Sequence, residues 1–180
     1  MAVTFHTLGG GQAVYLFPSL VDLYALVYAE PPYEEGPEEV DRFREGLPEE
    51  STRPGFSLVA AIDDGVLIGA AYAWTMAAGT WWSRAEHDPP ARLRDADKLA
   101  VMEWIVRPGY RGRGVGAELM RRLLADRPER YATLASDPRS HARKVYERNG
   151  WQEVGKSVLP WGPPMDLLVL DLRREPIQGG

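Results

Sequence analysis

Arginine and glycine alternate over Arg111-Gly112-Arg113-Gly114-Val115-Gly116, and these residue types in this spacing could hold a charged ligand. Glycine reaches backbone angles closed to other residues, so the stretch can turn tightly. Ahead of it, Val101, Met102, Trp104, Ile105 and Val106 make an apolar strand that Pro108-Gly109 ends. Behind it, Val115, Leu119, Leu123 and Leu124 recur at helical spacing. A glycine loop entering a helix start presents unbonded N–H groups, and the helix dipole adds partial positive charge. Arg111 and Arg113 add two full charges. The combination suits a phosphate, and a pyrophosphate best. Glu103 is the one acid in the apolar strand, and burial would raise its pKa. The alternative for it is a solvent-facing carboxylate or one paired with an arginine.

Other chemistries are excluded or disfavoured. The chain has no cysteine, which removes disulfides, thiolate nucleophiles and cysteine-based zinc sites. His6, His87 and His141 are too scattered to suggest a metal, and structural roles are expected for each. The net charge of −5 argues against nucleic acid as the main partner and is compatible with a cationic substrate. No run of eighteen apolar residues occurs, so no membrane span is expected. The first residues lack a basic region followed by an apolar one, so no signal peptide is expected, and a cytoplasmic location fits. A length of 180 residues predicts a single domain over 1–180, and 44% hydrophobic residues suffice for its core.

The elements that must position these residues follow from pattern. Val3 to Leu8 alternates weakly and predicts a first strand, broken by Gly9, Gly10 and Gly11. Leu16, Leu20, Leu23, Tyr24 and Val27 predict a helix ended by Pro31-Pro32. Val40, Phe43 and Leu47 predict a second helix in the acidic stretch from Glu34 to Glu50. Phe56 to Ile62 and Val66 to Met76 predict two antiparallel strands across an Asp63-Asp64-Gly65 hairpin turn. Ala77 to Asp97 reads as a long structureless connection. After the glycine-loop unit come a strand from Tyr131 to Ser136 and a helix from Ser140 to Arg148 capped by Asn149-Gly150. Trp151 to Leu159 and Met165 to Leu172 predict the last two strands. The expected fold is α/β: one domain with a mixed, mostly antiparallel sheet flanked by helices.

Three readings of the glycine loop compete. A Walker loop requires Gly-Lys-Ser/Thr, and no lysine follows here. Gly112-x-Gly114-x-x-Ala117 does fit a dinucleotide fingerprint, with Asp137 about 20 residues on as the ribose acid. That oxidoreductase reading needs a repeated βα pattern, and too few such units are present. The third reading is a resemblance. Val106-Arg107-Pro108 followed by Arg111-Gly112-Arg113-Gly114-Val115-Gly116 resembles the acetyl-CoA motif of the GCN5-related N-acetyltransferases, Arg/Gln-x-x-Gly-x-Gly/Ala after Val-x-Pro. Ala142-x-x-x-Tyr146-Glu147-x-x-Gly150-Trp151 resembles that family's later helix. The resemblance is specific over about residues 56–172 and weak before them.

The resemblance implies an acyl-CoA N-acyltransferase fold and direct acetyl transfer from acetyl-CoA, the acyl-donor cosubstrate, to a primary amine, with no metal. The loop amides of Arg111, Gly112, Arg113, Gly114, Val115, Gly116 and Ala117 would hold the CoA pyrophosphate. Ile105 and Val106 would hold the pantetheine where the strand splays from its neighbour, with Ser136, Asp137 and Pro138 ending the other side. Tyr146 matches the family's acid for the leaving thiolate, and Glu103 falls where some members carry the base; a water chain could take the place of any base. Where the family often has Asn, this chain has Arg139, which puts one pantetheine contact in doubt. Arg139, Arg143 and Lys144 are further candidates for the CoA phosphates.

By the same analogy the acceptor site is lined by Tyr28, Tyr33, Glu34 and Glu35, by Trp81, Trp82, Glu86 and Asp88, and by Trp161. Aromatic rings beside carboxylates suit a cationic amine, although charged loops are usually solvated and tryptophans usually pack. The implied partner is a small-molecule or peptide amine, with neither nucleic acid nor membrane, and a homodimer is left open. A module that binds acetyl-CoA without turnover is the alternative function.

Overall fold

The structure is a computed structural model that describes residues 2–158 and 163–173. Its described residues form two compact units, one within Met1–Trp74 and Val101–Ala125 and the other within Thr75–Ala100 and Asp126–Gly180. Seven strands run in the order β1-β2-β3-β4-β5-β7-β6: β1 (Thr4–Leu8), β2 (Ser57–Asp63), β3 (Val66–Met76), β4 (Lys98–Val106), β5 (Tyr131–Ser136), β6 (Gln152–Ser157) and β7 (Met165–Asp171). The β1–β2, β2–β3, β5–β7 and β6–β7 pairs are antiparallel, and the β4–β5 pair is parallel. The mixed, mostly antiparallel sheet expected from the sequence is therefore the sheet observed.

In the first unit the helices α1 (Gly10–Ala13), α2 (Phe17–Tyr28), α3 (Pro37–Glu50) and α5 (Val115–Leu124) accompany β1 to β4. Pro18 in the first turn of α2 is tolerated because the N–H it lacks would be unbonded there. The Gly36 N–H at the head of α3 donates to the Glu39 carboxylate at 2.9 Å. The core of this unit sets Leu20, Leu23 and Val27 of α2 and Leu47 of α3 against Leu58, Ala60, Leu67, Ala70 and Ile105 of the sheet. α5 lies close over the strands. A Cβ at Gly69 would stand 3.0 Å from a Leu119 methyl and 3.3 Å from Val115, so β3 has a glycine where the helix presses on it.

In the second unit, α4 (Ala91–Arg94) and α6 (His141–Arg148) join β5, β6, β7 and the start of β4. Leu93, Tyr131 and Val169 form a core cluster, with Trp81, Ala96 and Val154 packed on it. Gly150, at φ +87°, ends α6: Gly150 N donates to Glu147 O at 3.2 Å and Trp151 N to Tyr146 O at 3.1 Å. The Asn149-Gly150 stop read from the sequence is this turn.

Several expected boundaries move. The glycines after β1 do not simply break the chain: Gly10 opens a helical turn, and a Cβ there would lie 2.0 Å from the Ser51 carbonyl oxygen. The stretch from Ala77 to Asp97 is not structureless. It contains α4, a β-bridge from Ala85 to Ser157, and a hydrogen bond from Gly79 N to Arg94 O at 2.7 Å. β4 starts at Lys98 rather than Val101. Lys98 looks polar in sequence but is fully buried, because its ammonium donates to Leu93 O at 2.8 Å and Ala96 O at 2.7 Å. β6 ends at Ser157, and Leu159 lies outside the described residues.

Candidate active site

The glycine loop lies in the first unit, between a short 3₁₀ turn (Pro108–Tyr110) and α5. Gly112 and Gly114 have φ of +74° and +81°, the left-handed region that side chains rarely enter. A Cβ at either would meet no protein atom within 4 Å, so the space beside them is open. Gly114 caps α5, and the first intrahelical bond there runs from Glu118 N to Gly114 O at 3.0 Å. The amides of Val115, Gly116 and Ala117 therefore head the helix without intrahelical acceptors. This is a cradle that fits a pyrophosphate. Glu118 puts an acid in the same turn, but Arg121 and Arg122 hold its carboxylate at 2.7 and 2.6 Å and keep its pKa near 2.

Gly116 is a glycine for another reason. A Cβ there would stand 3.1 Å from the Trp104 ring, and Trp104 Nε1 donates to Gly116 O at 2.8 Å. The third glycine of the motif thus lets β4 and α5 approach. Arg111 is tied in place: its Nε donates to Val106 O at 3.1 Å, and its guanidinium pairs with Glu30 at 2.8 Å. The Val106 carbonyl is thereby engaged within the chain. The Arg113 guanidinium lies 5.5 Å from the centre of the Tyr110 ring, whose hydroxyl donates to Asp63 at 2.8 Å. Ile105 is buried.

Glu103 is neither solvent-facing nor paired with an arginine in the way its alternative reading supposed. It is half-buried, and its Oε2 accepts from the Tyr28 hydroxyl at 2.6 Å. Burial pushes its pKa up to about 8; the Tyr28 hydrogen bond opposes the rise, and the charges of Glu35 and Glu50 add to it. One helical turn before Tyr28, Tyr24 donates to Glu35 at 2.5 Å. The Tyr24 and Tyr28 rings lie 4.4 Å apart, and Tyr33 meets Tyr28 edge-on at 4.8 Å. At the end of α3, Glu50 accepts from Trp74 Nε1 at 2.5 Å. Burial raises the pKa of Glu35 and Glu50 as well, and drives Tyr24, Tyr28 and Tyr72 well above the ordinary phenol value. The tyrosines therefore remain donors near neutral pH.

This group joins Glu103 to Tyr28, Tyr33 and Glu35, which the sequence singled out. It adds Tyr24, Glu50 and Tyr72, which it did not. The one sequence signal for the addition is the spacing of four between Tyr24 and Tyr28, which sets both rings on one face of α2. Glu34 is exposed.

The other candidates lie in the second unit. Tyr146 is buried in α6, edge-on to Trp151 at 5.5 Å. Ser136 and Asp137 are buried at the end of β5. Arg139 holds the Asp137 carboxylate with its own backbone N–H at 2.8 Å and its guanidinium at 2.8 and 3.1 Å. Those bonds keep the Asp137 pKa below the usual carboxylate value. They also occupy the oxygens that a ribose would need under the dinucleotide reading. The Arg143 side chain is 17% exposed and donates to Asp166 at 2.9 Å, so much of its charge is spent inside the chain. Trp82 donates to Thr133 at 3.0 Å, and Trp81 packs on the Leu93 cluster. Trp161 lies outside the described residues. The β4–β5 ladder joins Lys98–Ala100 to Tyr131–Thr133, three residues on each strand.

The sequence model of the Acetyltransferase (GNAT) family matches residues 20–151. The chain belongs to this family. A search of curated proteins found no match. Among solved structures, the chain is similar to a PaiA N-acetyltransferase from Thermoplasma acidophilum in complex with coenzyme A, at 14% identity and TM-score 0.64, covering 95% of this chain and 99% of that one. It is similar to an aminoglycoside 6'-acetyltransferase type Ii at 21% identity and TM-score 0.65, covering 98% and 100%. It is also similar to a chain of the NatC complex bound to Gag peptide and CoA, at 15% identity and TM-score 0.64, covering 95% and 99%. At these identities the likeness is one of fold. Among the described residues no helix is long and apolar enough to cross a membrane, and no group of three or more His, Asp or Glu is placed to hold a metal ion.

Proposed function

We propose that this chain is an N-acetyltransferase that moves the acetyl group of acetyl-CoA directly to a primary amine of a small molecule or peptide. The observation that carries the reading is the cradle at Arg111–Gly116, with two left-handed glycines heading α5, in a chain of the GNAT family. The family match spans parts of both compact units, which supports one acetyltransferase domain over 1–180. CoA in the relatives' structures supports acetyl-CoA as the cosubstrate.

Acetyl-CoA supplies an activated thioester. The amides from Arg111 to Ala117 bind its pyrophosphate, and Arg113 adds charge there. Backbone groups of Ile105 and Val106 bind the pantetheine. Arg139 and Arg143 already hold carboxylates, which weakens their candidacy for the phosphates. Glu103 removes the proton that the amine sheds as its nitrogen bonds to the acetyl carbon, and Tyr146 gives a proton to the leaving sulfur. A carboxylate with a pKa of about 8 is a stronger base than an ordinary one, and suits an ammonium substrate better. Tyr33 and Glu34 bound the acceptor. The acceptors named with the relatives, an aminoglycoside and a peptide, set the classes to try first.

The test is thiol release from acetyl-CoA over a panel of an aliphatic diamine, an aminoglycoside and a lysine-containing peptide, with mass spectrometry of the products. Acetylated amine is the expected result. Saturable CoA binding with no amine acetylated would leave a binding module instead.

A further inference from the structure

Tyr28 sits at the C-terminal end of α2, and its ring is gripped from two sides, tilted against Tyr24 at 4.4 Å and edge-on to Tyr33 at 4.8 Å. From that fixed position its hydroxyl reaches 75 residues along the chain to Glu103 Oε2, at 2.6 Å. A glutamate side chain has three rotatable torsions, and a base that wanders loses most of its advantage, since proton transfer needs hydrogen-bond reach in a narrow range of angles. A partner locked by packing supplies that constraint.

We propose that Tyr28 is the positioning residue of the transfer reaction: its hydroxyl occupies one oxygen of Glu103 and leaves the other, at a fixed angle, to receive the amine proton. The inference rests on the reading of Glu103 as the base. It departs from the expectation that Tyr28 lines the acceptor site, because the hydroxyl that would contact an acceptor is spent on the carboxylate. The bond also tunes the base. It favours the ionised carboxylate against the burial that raises its pKa. The titratable groups that face Glu103 are Tyr28 and Tyr24 on α2, Glu35 beyond it, Glu50 at the end of α3 and Tyr72 on β3. The three phenols stay protonated, so Glu35 and Glu50 are the neighbours whose charge pushes the Glu103 pKa further up.

The test is Tyr28→Phe in the full chain, with Glu103→Gln beside it. The carboxyl of Glu103 is followed by carbon NMR of glutamate-labelled protein against pH, its signal assigned by its loss in Glu103→Gln. In parallel, kcat and KM are measured against pH with acetyl-CoA and whichever panel amine is acetylated. Loss of one hydrogen bond to the charged form predicts a Glu103 titration about one pH unit higher in Tyr28→Phe. The acid limb of kcat should move with it, with KM for the amine changed less than twofold. An unmoved titration, or a raised KM with the limb in place, overturns the positioning role and returns Tyr28 to the acceptor site. Full activity in Glu103→Gln overturns the base reading and this inference with it. Loss of activity in Glu103→Gln with an unmoved limb in Tyr28→Phe overturns this inference alone.

Discussion

At the scale of single residues, Glu103 is a carboxyl whose surroundings hold its pKa far above that of its type. Its raised pKa has consequences of opposite sign for stability and for catalysis. In the unfolded chain the carboxyl ionises near the ordinary glutamate value of 4.5, whereas in the folded chain it holds its proton up to about 8. The folded state therefore binds more protons in that window, and stability falls as pH rises through it. Glu103→Gln removes this liability. Its urea midpoint should exceed that of the wild type at pH 8, with the gap shrinking toward pH 5; equal midpoints at both would mean that the carboxyl titrates normally. Under the proposed function catalysis runs the other way, since Glu103 works as a base only when ionised. The wild-type rate should climb with pH up to about 8, and Glu103→Gln should lose that limb together with about 10²- to 10⁴-fold in kcat/KM. Tyr146→Phe tests the acid. It should lower kcat by about tenfold or more while leaving the CoA dissociation constant within about twofold. A rate equal to wild type would remove Tyr146 from the reaction.

At the scale of elements, the glycine loop divides into two tasks. Gly112 and Gly114 serve backbone angle and open space, whereas Gly116 serves contact with Trp104. Gly114→Glu should abolish measurable CoA binding in calorimetry, because it sets a carboxylate where the anion is to sit and strains the cap. Affinity near wild type would contradict the cradle. Gly116→Ala should cost about 1–3 kcal/mol of stability through overpacking on Trp104, and a smaller ring in Trp104→Phe should restore part of it. Additive losses in the double variant would mean that the two sites do not touch.

The strand and helix periods, the Asp63-Asp64-Gly65 hairpin and the Asn149-Gly150 cap were legible because each is a local signal. The start of β4 was not, since only tertiary contact discloses the two carbonyls that neutralise the cost of burying Lys98. The helical turn at Gly10 was hidden for a similar reason: the Ser51 carbonyl that excludes a side chain there lies far along the chain. In the site, the loop was readable from spacing. The bond from Tyr28 to Glu103 was not, because residues 75 apart carry no mutual pattern.

At the scale of the whole molecule, composition excluded thiol chemistry, and strand order together with the two motifs led to the GNAT family, which the match over residues 20–151 establishes. The acid-rich chain, at net charge −5, carries a basic loop and a set of half-buried carboxylates hydrogen-bonded to tyrosines and a tryptophan. Under the proposed function the loop meets an anionic cosubstrate and the carboxylates a cationic acceptor. Both belong to the first compact unit. The most direct measurement is single-turnover transfer of labelled acetyl from acetyl-CoA to the panel amines at pH 8, with Glu103→Gln alongside. The account predicts labelled N-acetyl product from the wild type, and a rate lower by at least about a hundredfold from the variant. Label that stays on CoA with every amine, while CoA itself binds saturably, would contradict it.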